Sequence, residues 1–224
     1  MLALVTGASR GIGLAVAERL AADGATVVRL ARGLVPGRGA FVDLPCDLAD
    51  DAGLDAVLDT VLGEIGTPDV VVSNAGGFLL RALAETPLAD FDAQLRLNLR
   101  VPFALARRLL PAMRAAGRGR WITIGSVADH VGFPENAAYA ASKFGVRGLH
   151  ETLVAEYRGS GVLLTLVSPG PTDTAVWDPV DPDAREGFVR RADMLRPADV
   201  ADAVHFVATR PPNVHVDWLR LGPA

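Results

Sequence analysis

The sequence has little of what would place a protein outside the cell or in a membrane. Its single cysteine, Cys46, excludes an internal disulfide framework. No apolar run approaches the length of a membrane span, and the chain starts directly in an apolar strand pattern, without a basic region and cleavage site. A net charge of -4 and a pI near 5.5 provide no positive surface for nucleic acid or an anionic membrane. We therefore expect a cytoplasmic protein with no nucleic-acid or membrane partner.

The chain also has almost no lysine. Of the 22 residues that are lysine or arginine, Lys143 alone is lysine. Tyr139 precedes it by four positions, so a helix places both side chains on one face. A phenol needs its pKa lowered by about 3 units, or about 4 kcal/mol, to exchange protons near neutrality. A unit charge about 4 Å away, at an effective dielectric constant of about 20, supplies that much.

Metal-ligand spacing is missing too. Four histidines are scattered among separate segments, and Cys46 has no second cysteine with which to form a ligand pair. The sequence therefore predicts no metal site, and the histidines are interpreted as packing or surface residues: His130, His150, His205 and His215.

Two segments surround the Tyr139 and Lys143 pair with chemistry of the same kind. Arg120–Ser126 has the pattern of a buried strand ending in a hydroxyl, at the carboxyl end where open α/β sheets bind ligands. Near the amino terminus, an apolar strand leads into a glycine-rich turn and then a helical pattern. Such a turn lets a phosphate approach the backbone and the free N–H groups of a helix start. The residues predicted to contact the phosphate-bearing cofactor are Gly7, Ser9, Arg10, Gly11, Ile12 and Gly13.

The glycine turn and the set Ser126, Tyr139 and Lys143 together resemble the classical short-chain dehydrogenases/reductases. The matching motifs occur in order from Thr6 to Thr174. The resemblance implies reversible hydride transfer between a nicotinamide cofactor and a carbonyl or secondary alcohol. It assigns Ser126 to hydrogen-bond the carbonyl oxygen, Tyr139 to donate the proton, and Lys143 to lower the phenol pKa while holding the nicotinamide ribose.

The resemblance assigns further residues. Asn98 corresponds to a fourth catalytic residue, which holds a water between the lysine and solvent, although a mid-helix asparagine can equally serve only to bend its helix. Other positions correspond to contacts with the adenine, the central part and the nicotinamide side of the cofactor. They are Asp47 and Leu48, then Asn74, Ala75 and Gly76, and finally Pro169, Gly170, Thr172 and Thr174.

The end of the second predicted strand indicates which cofactor binds. An acid there would bind the ribose 2′-hydroxyl of NAD(H), whereas an arginine accommodates the 2′-phosphate of NADP(H). Arg32 occupies this position, and Arg10 lies in the glycine turn. Two guanidiniums suit one phosphate, so we predict NADP(H). The alternative is that both arginines are solvated surface residues.

The substrate is not identified by the sequence. Residues 175–196 form a candidate lid, or else a surface connection with a few anchoring side chains. Large apolar side chains predict a partly apolar substrate, such as a ketoacyl thioester, a ketone or a steroid-like carbonyl: Phe78, Phe133, Trp177, Phe188 and Met194.

Alternation of apolar strands with helices predicts one α/β domain over residues 1–224. We expect a Rossmann-type, doubly wound parallel sheet of about seven strands in a three-layer α/β/α arrangement. The resemblance favours a homodimer or homotetramer, formed through the helices predicted at Leu88–Ala116 and Asn136–Gly159. Two other functions stay open: an NAD-dependent alcohol dehydrogenase on the same scaffold, and a non-catalytic NADP(H)-binding sensor.

Overall fold

The computed structural model describes residues 1–34 and 40–224. The glycines and proline of Gly33–Gly39 predict a loop, most of which lies outside the described residues. The strands are β1 (Leu2–Thr6), β2 (Thr26–Ala31), β3 (Phe41–Pro45), β4 (Val70–Ser73), β5 (Gly119–Ile124), β6 (Val162–Pro169) and β7 (Trp218–Leu221). The α-helices are α1 (Gly11–Ala22), α2 (Asp51–Thr60), α3 (Leu88–Leu95), α4 (Val101–Ala115), α5 (Ala137–Glu156) and α6 (Pro197–Ala208). A π-helical turn, Val61–Ile65, extends α2.

The seven strands form one parallel sheet in the order β3-β2-β1-β4-β5-β6-β7. From β1 the chain adds strands first on one side and then, from β4 onward, on the other. A crevice therefore opens where the direction of winding reverses, beyond the carboxyl ends of β1 and β4. The predicted doubly wound Rossmann-type sheet is confirmed.

Helices cover both faces of the sheet. Successive strand residues point to opposite faces. In β1, Leu4 packs into one apolar core with α2 and α4, whereas Ala3 and Val5 pack into a second core with α1 and α6. Both cores consist mainly of buried aliphatic side chains, and each buried valine, leucine or isoleucine contributes about 1.5–3 kcal/mol by leaving water. The two cores therefore fix the sheet, and with it the strand ends that bear the candidate site.

The helix predicted over Leu88–Ala116 is not α-helical throughout. A π-helical turn, Arg96–Arg100, separates α3 from α4. Pro102 has no N–H and cannot donate the α-helical bond to the carbonyl of Asn98, which favours the wider turn at this point. Pro111, by contrast, lies inside α4 without interrupting it.

Two predicted strands are shorter than expected. The alternating pattern of Val214–Leu221 predicts an edge strand, but only β7 joins the sheet. Side chains from other strands bond the carbonyl groups at the start of the segment. Arg120 donates to the carbonyl of Val214 at 3.4 Å, and Thr165 donates to the carbonyl of Val216 at 2.5 Å. The strand predicted to end at Ser126 ends at Ile124, and Ser126 instead caps a short 3-10 turn, Val127–Asp129.

Residues 1–34 and 40–224 contain neither a membrane-spanning helix nor a metal-binding cluster of side chains. No helix there is both long and apolar enough to cross a membrane. No group of three or more histidine, cysteine, aspartate or glutamate side chains in the same residues is suited to hold a metal ion.

Candidate functional site

A cavity of about 1240 Å³ opens along the carboxyl ends of the strands. Its lining brings together the residues that the sequence analysis assigned to the cofactor, from the glycine turn to the segment after β6. It also contains Ser126, Tyr139 and Lys143. Asn98, the fourth predicted catalytic residue, is not part of the lining. The assigned residues found there are Gly7, Ser9, Arg10, Gly11, Ile12, Gly13, Arg32, Asp47, Leu48, Asn74, Ala75, Gly76, Pro169, Gly170, Thr172 and Thr174.

The glycine turn leaves room only for backbone. A Cβ on Gly13 would lie 2.3 Å from the carbonyl oxygen of Gly7, and Gly7 itself has a φ of +65°, in the left-handed region. A Cβ on Gly11 would lie 3.2 Å from the Cγ2 of Thr174, so the predicted nicotinamide segment closes against the same turn. A bare backbone loop at the start of α1 fits a dinucleotide phosphate.

Asn74 ties the end of β4 to the end of β1. Its Nδ2 donates to the carbonyl of Thr6 at 2.8 Å, and the Thr6 hydroxyl accepts from the backbone N–H groups of Asn74 and Ala75, both at 3.0 Å. The predicted Asn74-Ala75-Gly76 segment therefore holds the floor of the cavity at the winding reversal.

Ser126, Tyr139 and Lys143 meet at one side of this cavity. The Lys143 Nζ lies 5.7 Å from the centre of the Tyr139 ring and donates to the carbonyl of Ile124 at 3.1 Å. The Ser126 hydroxyl accepts from the N–H of Ala128 at 3.1 Å, so its own proton is free to donate. The spacing of four on a helix therefore yields the arrangement that the sequence predicted.

The pKa values of the pair differ from the sequence expectation. Burial raises the pKa of Tyr139 to about 12, with a hydrogen bond from Ser126 opposing the rise. Burial likewise lowers the pKa of Lys143 to about 8, against the negative charge of Asp129. In the protein alone, desolvation thus outweighs the hydrogen bond from Ser126, and Tyr139 keeps its proton at neutral pH.

Asn98 is buried in the π-helical turn, and its side-chain amide is fully engaged. Its Oδ1 accepts from the N–H of Gly77 at 2.8 Å, while its Nδ2 donates to the carbonyl of Gly77 at 3.0 Å and to the hydroxyl of Ser142 at 2.9 Å. The amide therefore joins the loop after β4 to α5, one residue from Lys143. The backbone carbonyl of Asn98, which Pro102 leaves without an α-helical donor, offers an acceptor to a water.

Aromatic rings form a row beside the candidate catalytic tyrosine. Phe78 meets the Tyr139 ring edge-on at 5.1 Å between centroids, Trp177 follows at 4.9 Å from Phe78, and Phe188 lies 6.5 Å from Trp177. All four line the cavity, as do the other two predicted pocket residues, Phe133 and Met194.

The candidate lid at 175–196 consists of short turns held by ion pairs. Arg191 bonds Asp173 at 2.9 Å and Asp178 at 2.6 Å, and Arg185 bonds Glu135 on the facing loop at 2.8 Å. Glu135 has a φ of +60°, a backbone conformation that non-glycine residues rarely adopt. The segment thus forms one wall of the cavity and is joined to the opposite wall.

At the other end of the cavity, Arg10 and Arg32 are exposed. Neither guanidinium makes an ion pair within the described parts of the chain, whereas Arg29, on the preceding strand, is buried and bonded to Asp43 at 2.6 Å. Both side chains are therefore available to an anion in the crevice.

Sequence reasoning missed two polar residues near Ser126. Asp129 is fully buried and bonds the Ser126 backbone, for which the spacing Ser-x-x-Asp of a capping box was an available signal. Asn136, at the start of α5, lines the cavity with a buried Oδ1 that has no hydrogen-bond partner in the described residues. No sequence signal identifies it.

The histidines take packing and surface positions, as expected. His150 and His215 each bond a backbone carbonyl, of Asp217 at 3.1 Å and of Leu164 at 2.7 Å, and burial lowers the pKa of His150. His205 bonds Asp23 at the contact of α1 with α6.

A parallel, doubly wound sheet with a glycine turn at its winding reversal and a tyrosine–lysine helix on the same cavity defines a nucleotide-binding oxidoreductase of the Rossmann type. The family model described as short chain dehydrogenase matches residues 1–185, and the chain belongs to that family.

Relatives of known name agree with this assignment. The chain is 35% identical to the D-threitol dehydrogenase of Mycolicibacterium smegmatis, over 93% of this chain and 85% of that protein. It is 37% identical to the 3-oxoacyl-acyl-carrier-protein reductase MabA of Mycobacterium tuberculosis, over 92% and 84%. Among solved structures, a metagenomic short-chain oxidoreductase in complex with NADP superposes with a TM-score of 0.82 at 34% identity, covering 100% of this chain and 97% of that one.

Proposed function

We propose that the protein is an NADP(H)-dependent oxidoreductase that interconverts a carbonyl and a secondary alcohol on a partly apolar substrate. The observation that carries the proposal is that Ser126, Tyr139 and Lys143 meet on one cavity. The glycine turn, which has no space for a Cβ at Gly7 or Gly13, lies at the far end of that cavity. When bound there, the cofactor supplies the hydride.

The chain's own residues supply orientation and the proton. Ser126 donates a hydrogen bond to the carbonyl oxygen, and Tyr139 gives that oxygen a proton as it becomes a hydroxyl. Tyr139 is protonated at neutral pH, so it carries the proton that the reductive direction needs. Lys143 is charged at neutral pH, since its lowered pKa of about 8 still lies above 7. Its remaining N–H groups can hold the ribose hydroxyls beside Tyr139.

The preference for NADP(H) rests on Arg10 and Arg32. Two exposed guanidiniums without ion pairs in the described residues favour a 2′-phosphate, and the reported NADP complex of a structural neighbour is consistent with this. Arg32→Asp should reverse the ratio of kcat/KM values for NADPH and NADH. Arg158→Asp, an equal charge change at an exposed position outside the cavity and after the end of α5, should leave the ratio unchanged. If Arg32→Asp leaves the ratio unchanged as well, another group recognises the phosphate.

The aromatic row supports the apolar part of the proposal. Phe78, Trp177 and Phe188 offer ring faces to a hydrophobic substituent next to the reacting carbonyl. Of the substrates named for the two relatives, an oxoacyl chain suits this row better than threitol. Phe78→Leu should raise KM for an aryl ketone more than for a short aliphatic ketone. Equal effects on both would remove the row from substrate recognition.

We also propose a homo-oligomer formed through α4 and α5. Phe103 on α4 and Phe144 on α5 are 53% and 46% exposed, and large apolar side chains left in water on adjacent helices favour association. Light scattering should give a mass of two or four chains, and a monomeric wild-type mass would contradict the proposal.

The two other functions make different predictions for the same assays. An NAD-dependent alcohol dehydrogenase would bind NADH more tightly than NADPH. A sensor would bind NADPH, and no carbonyl compound would cause the bound NADPH to be oxidised.

A further inference from the structure

The 3-10 turn behind Ser126 contains a buried carboxylate that the proposed mechanism does not use. Asp129 is 0% exposed, and its Oδ2 accepts from the backbone N–H of Ser126 at 3.1 Å and from the hydroxyl of Ser168 at 2.5 Å. Its Oδ1 lies 2.7 Å from Nδ1 of His130. A buried carboxylate is costly unless several donors satisfy it, so these contacts account for its place in the interior.

The donors are themselves arranged to point at Asp129. The Ser168 hydroxyl accepts from Nε1 of Trp218 at 2.8 Å, so its own proton is directed to the carboxylate. His130 packs edge-on against the Trp218 ring, 5.3 Å between centroids. The carboxylate is thus held from β6 and β7, the two strands beyond β5, and forms a rigid support for the turn.

The support also reaches Gly125. A Cβ on this residue would lie 2.3 Å from Oδ2 of Asp129, so only glycine admits the carboxylate at this depth. Ser126 therefore follows a residue that must be glycine, and its own backbone N–H is anchored to the buried carboxylate of Asp129. The side-chain hydroxyl of Ser126 projects from this anchored peptide into the cavity.

We propose that Asp129 is a positioning residue of the active site, which anchors the Ser126 peptide and thereby aims the Ser126 hydroxyl at the oxygen that receives the proton from Tyr139. The inference rests on the proposed function for its kinetic consequence. Its structural part, the anchoring of the turn, does not depend on the reaction. The negative charge of Asp129 also acts on Tyr139 and Lys143, which places it close behind the catalytic set.

A double-mutant cycle tests the inference. Ser126→Ala removes a hydrogen bond to the developing charge and should lower kcat about 100-fold. Asp129→Ala should lower kcat about tenfold, because the Ser126 hydroxyl is no longer held in the orientation that reaches the substrate oxygen. The Kd for NADPH should not change. In the Ser126→Ala background, Asp129→Ala should lower kcat no further, because residues acting through one contact are not additive. Multiplied effects would mean a general structural role and overturn the inference.

A conservative variant covers the case in which Asp129→Ala does not fold. Asp129→Asn keeps the size of the side chain and an amide oxygen that can accept from the Ser126 N–H, so it should recover most of the kcat lost in Asp129→Ala. If Asp129→Asn instead loses as much activity as Ser126→Ala, the carboxylate does more than anchor a peptide, and the positioning role is wrong.

Hydrogen exchange separates this inference from the proposed function. Amide exchange in the peptide covering residues 124–131 should be faster in Asp129→Ala than in wild type, whether or not any substrate is turned over. An inactive wild-type enzyme with this change in exchange would refute the proposed function alone. An active wild-type enzyme, with exchange and kcat unaltered in Asp129→Ala, would refute the positioning role alone.

Discussion

Gly13→Ala is the substitution whose effect the structure defines most closely. The added Cβ would lie 2.3 Å from the carbonyl oxygen of Gly7 and 2.5 Å from Nδ2 of Asn74, whereas contacts under 3.0 Å are essentially never adopted by real Cβ atoms. The start of α1 must therefore move by at least 0.7 Å (3.0 minus 2.3) relative to the turn. Because a backbone oxygen is on the other side of the contact, no flexible side chain can absorb the shift.

The expected results are a loss of stability and a loss of nucleotide binding together. Overpacking of this kind costs about 1–3 kcal/mol. For a chain of this size that corresponds to a melting temperature lower by about 2–12 °C. The Kd for NADPH, measured by fluorescence titration, should rise at least tenfold, because the backbone N–H groups at the start of α1 move away from the phosphate.

Gly63→Ala is the matched control. Gly63 lies in the π-helical turn that extends α2, and a Cβ there would meet no atom within 4 Å. Alanine favours a helix over glycine by about 1 kcal/mol, so this variant should melt at or above the wild-type temperature and bind NADPH normally. If Gly13→Ala binds NADPH and melts as Gly63→Ala does, the glycine turn is not the phosphate cradle described above.

Two further predictions concern the residues around the tyrosine. The pKa of Lys143 falls from 10.5 to about 8 on folding, so the unfolded chain binds more protons between these pH values. As pH rises from about 8 toward 10.5, the free energy of unfolding of wild type should therefore rise by up to about 3 kcal/mol relative to that of Lys143→Met. Urea denaturation of both proteins at several pH values measures this difference, and parallel pH profiles would contradict it. Asn98→Ala should lower the free energy of unfolding by about 3 kcal/mol, because it leaves the buried Ser142 and the half-buried Gly77 without their hydrogen-bond partner. Gln94→Ala removes one partly exposed bond to the same amide and should cost about 1 kcal/mol; equal losses in the two variants would contradict this account of Asn98.

Local pattern was sufficient for much of the fold. The mainly apolar runs of β1 and β4 predict strands buried on both faces, and a proline at the first helical position is typical of a helix start such as that of α6. The glycine turn and the spacing of Tyr139 and Lys143 likewise predict geometry that depends on neighbouring residues only.

What the sequence could not give depends on contacts between distant segments. The π-helical turn at Asn98 is stabilised by Gly77 and Ser142, which only the folded chain brings to it. The support of Asp129 needs Ser168 and Trp218 on adjacent strands. The raised pKa of Tyr139 has the same origin, because burial by the surrounding chain outweighs the hydrogen bond from Ser126.

The central claim is tested most directly by NADPH oxidation. Absorbance would be followed against a panel of ketones, aldehydes and ketoacyl thioesters, for wild type, Tyr139→Phe and Tyr157→Phe. Tyr157, the other tyrosine, lies against Arg114 outside the cavity and serves as the matched control. The account predicts turnover by wild type and Tyr157→Phe, and none by Tyr139→Phe although that variant still binds NADPH. Turnover by Tyr139→Phe at the wild-type rate would contradict it.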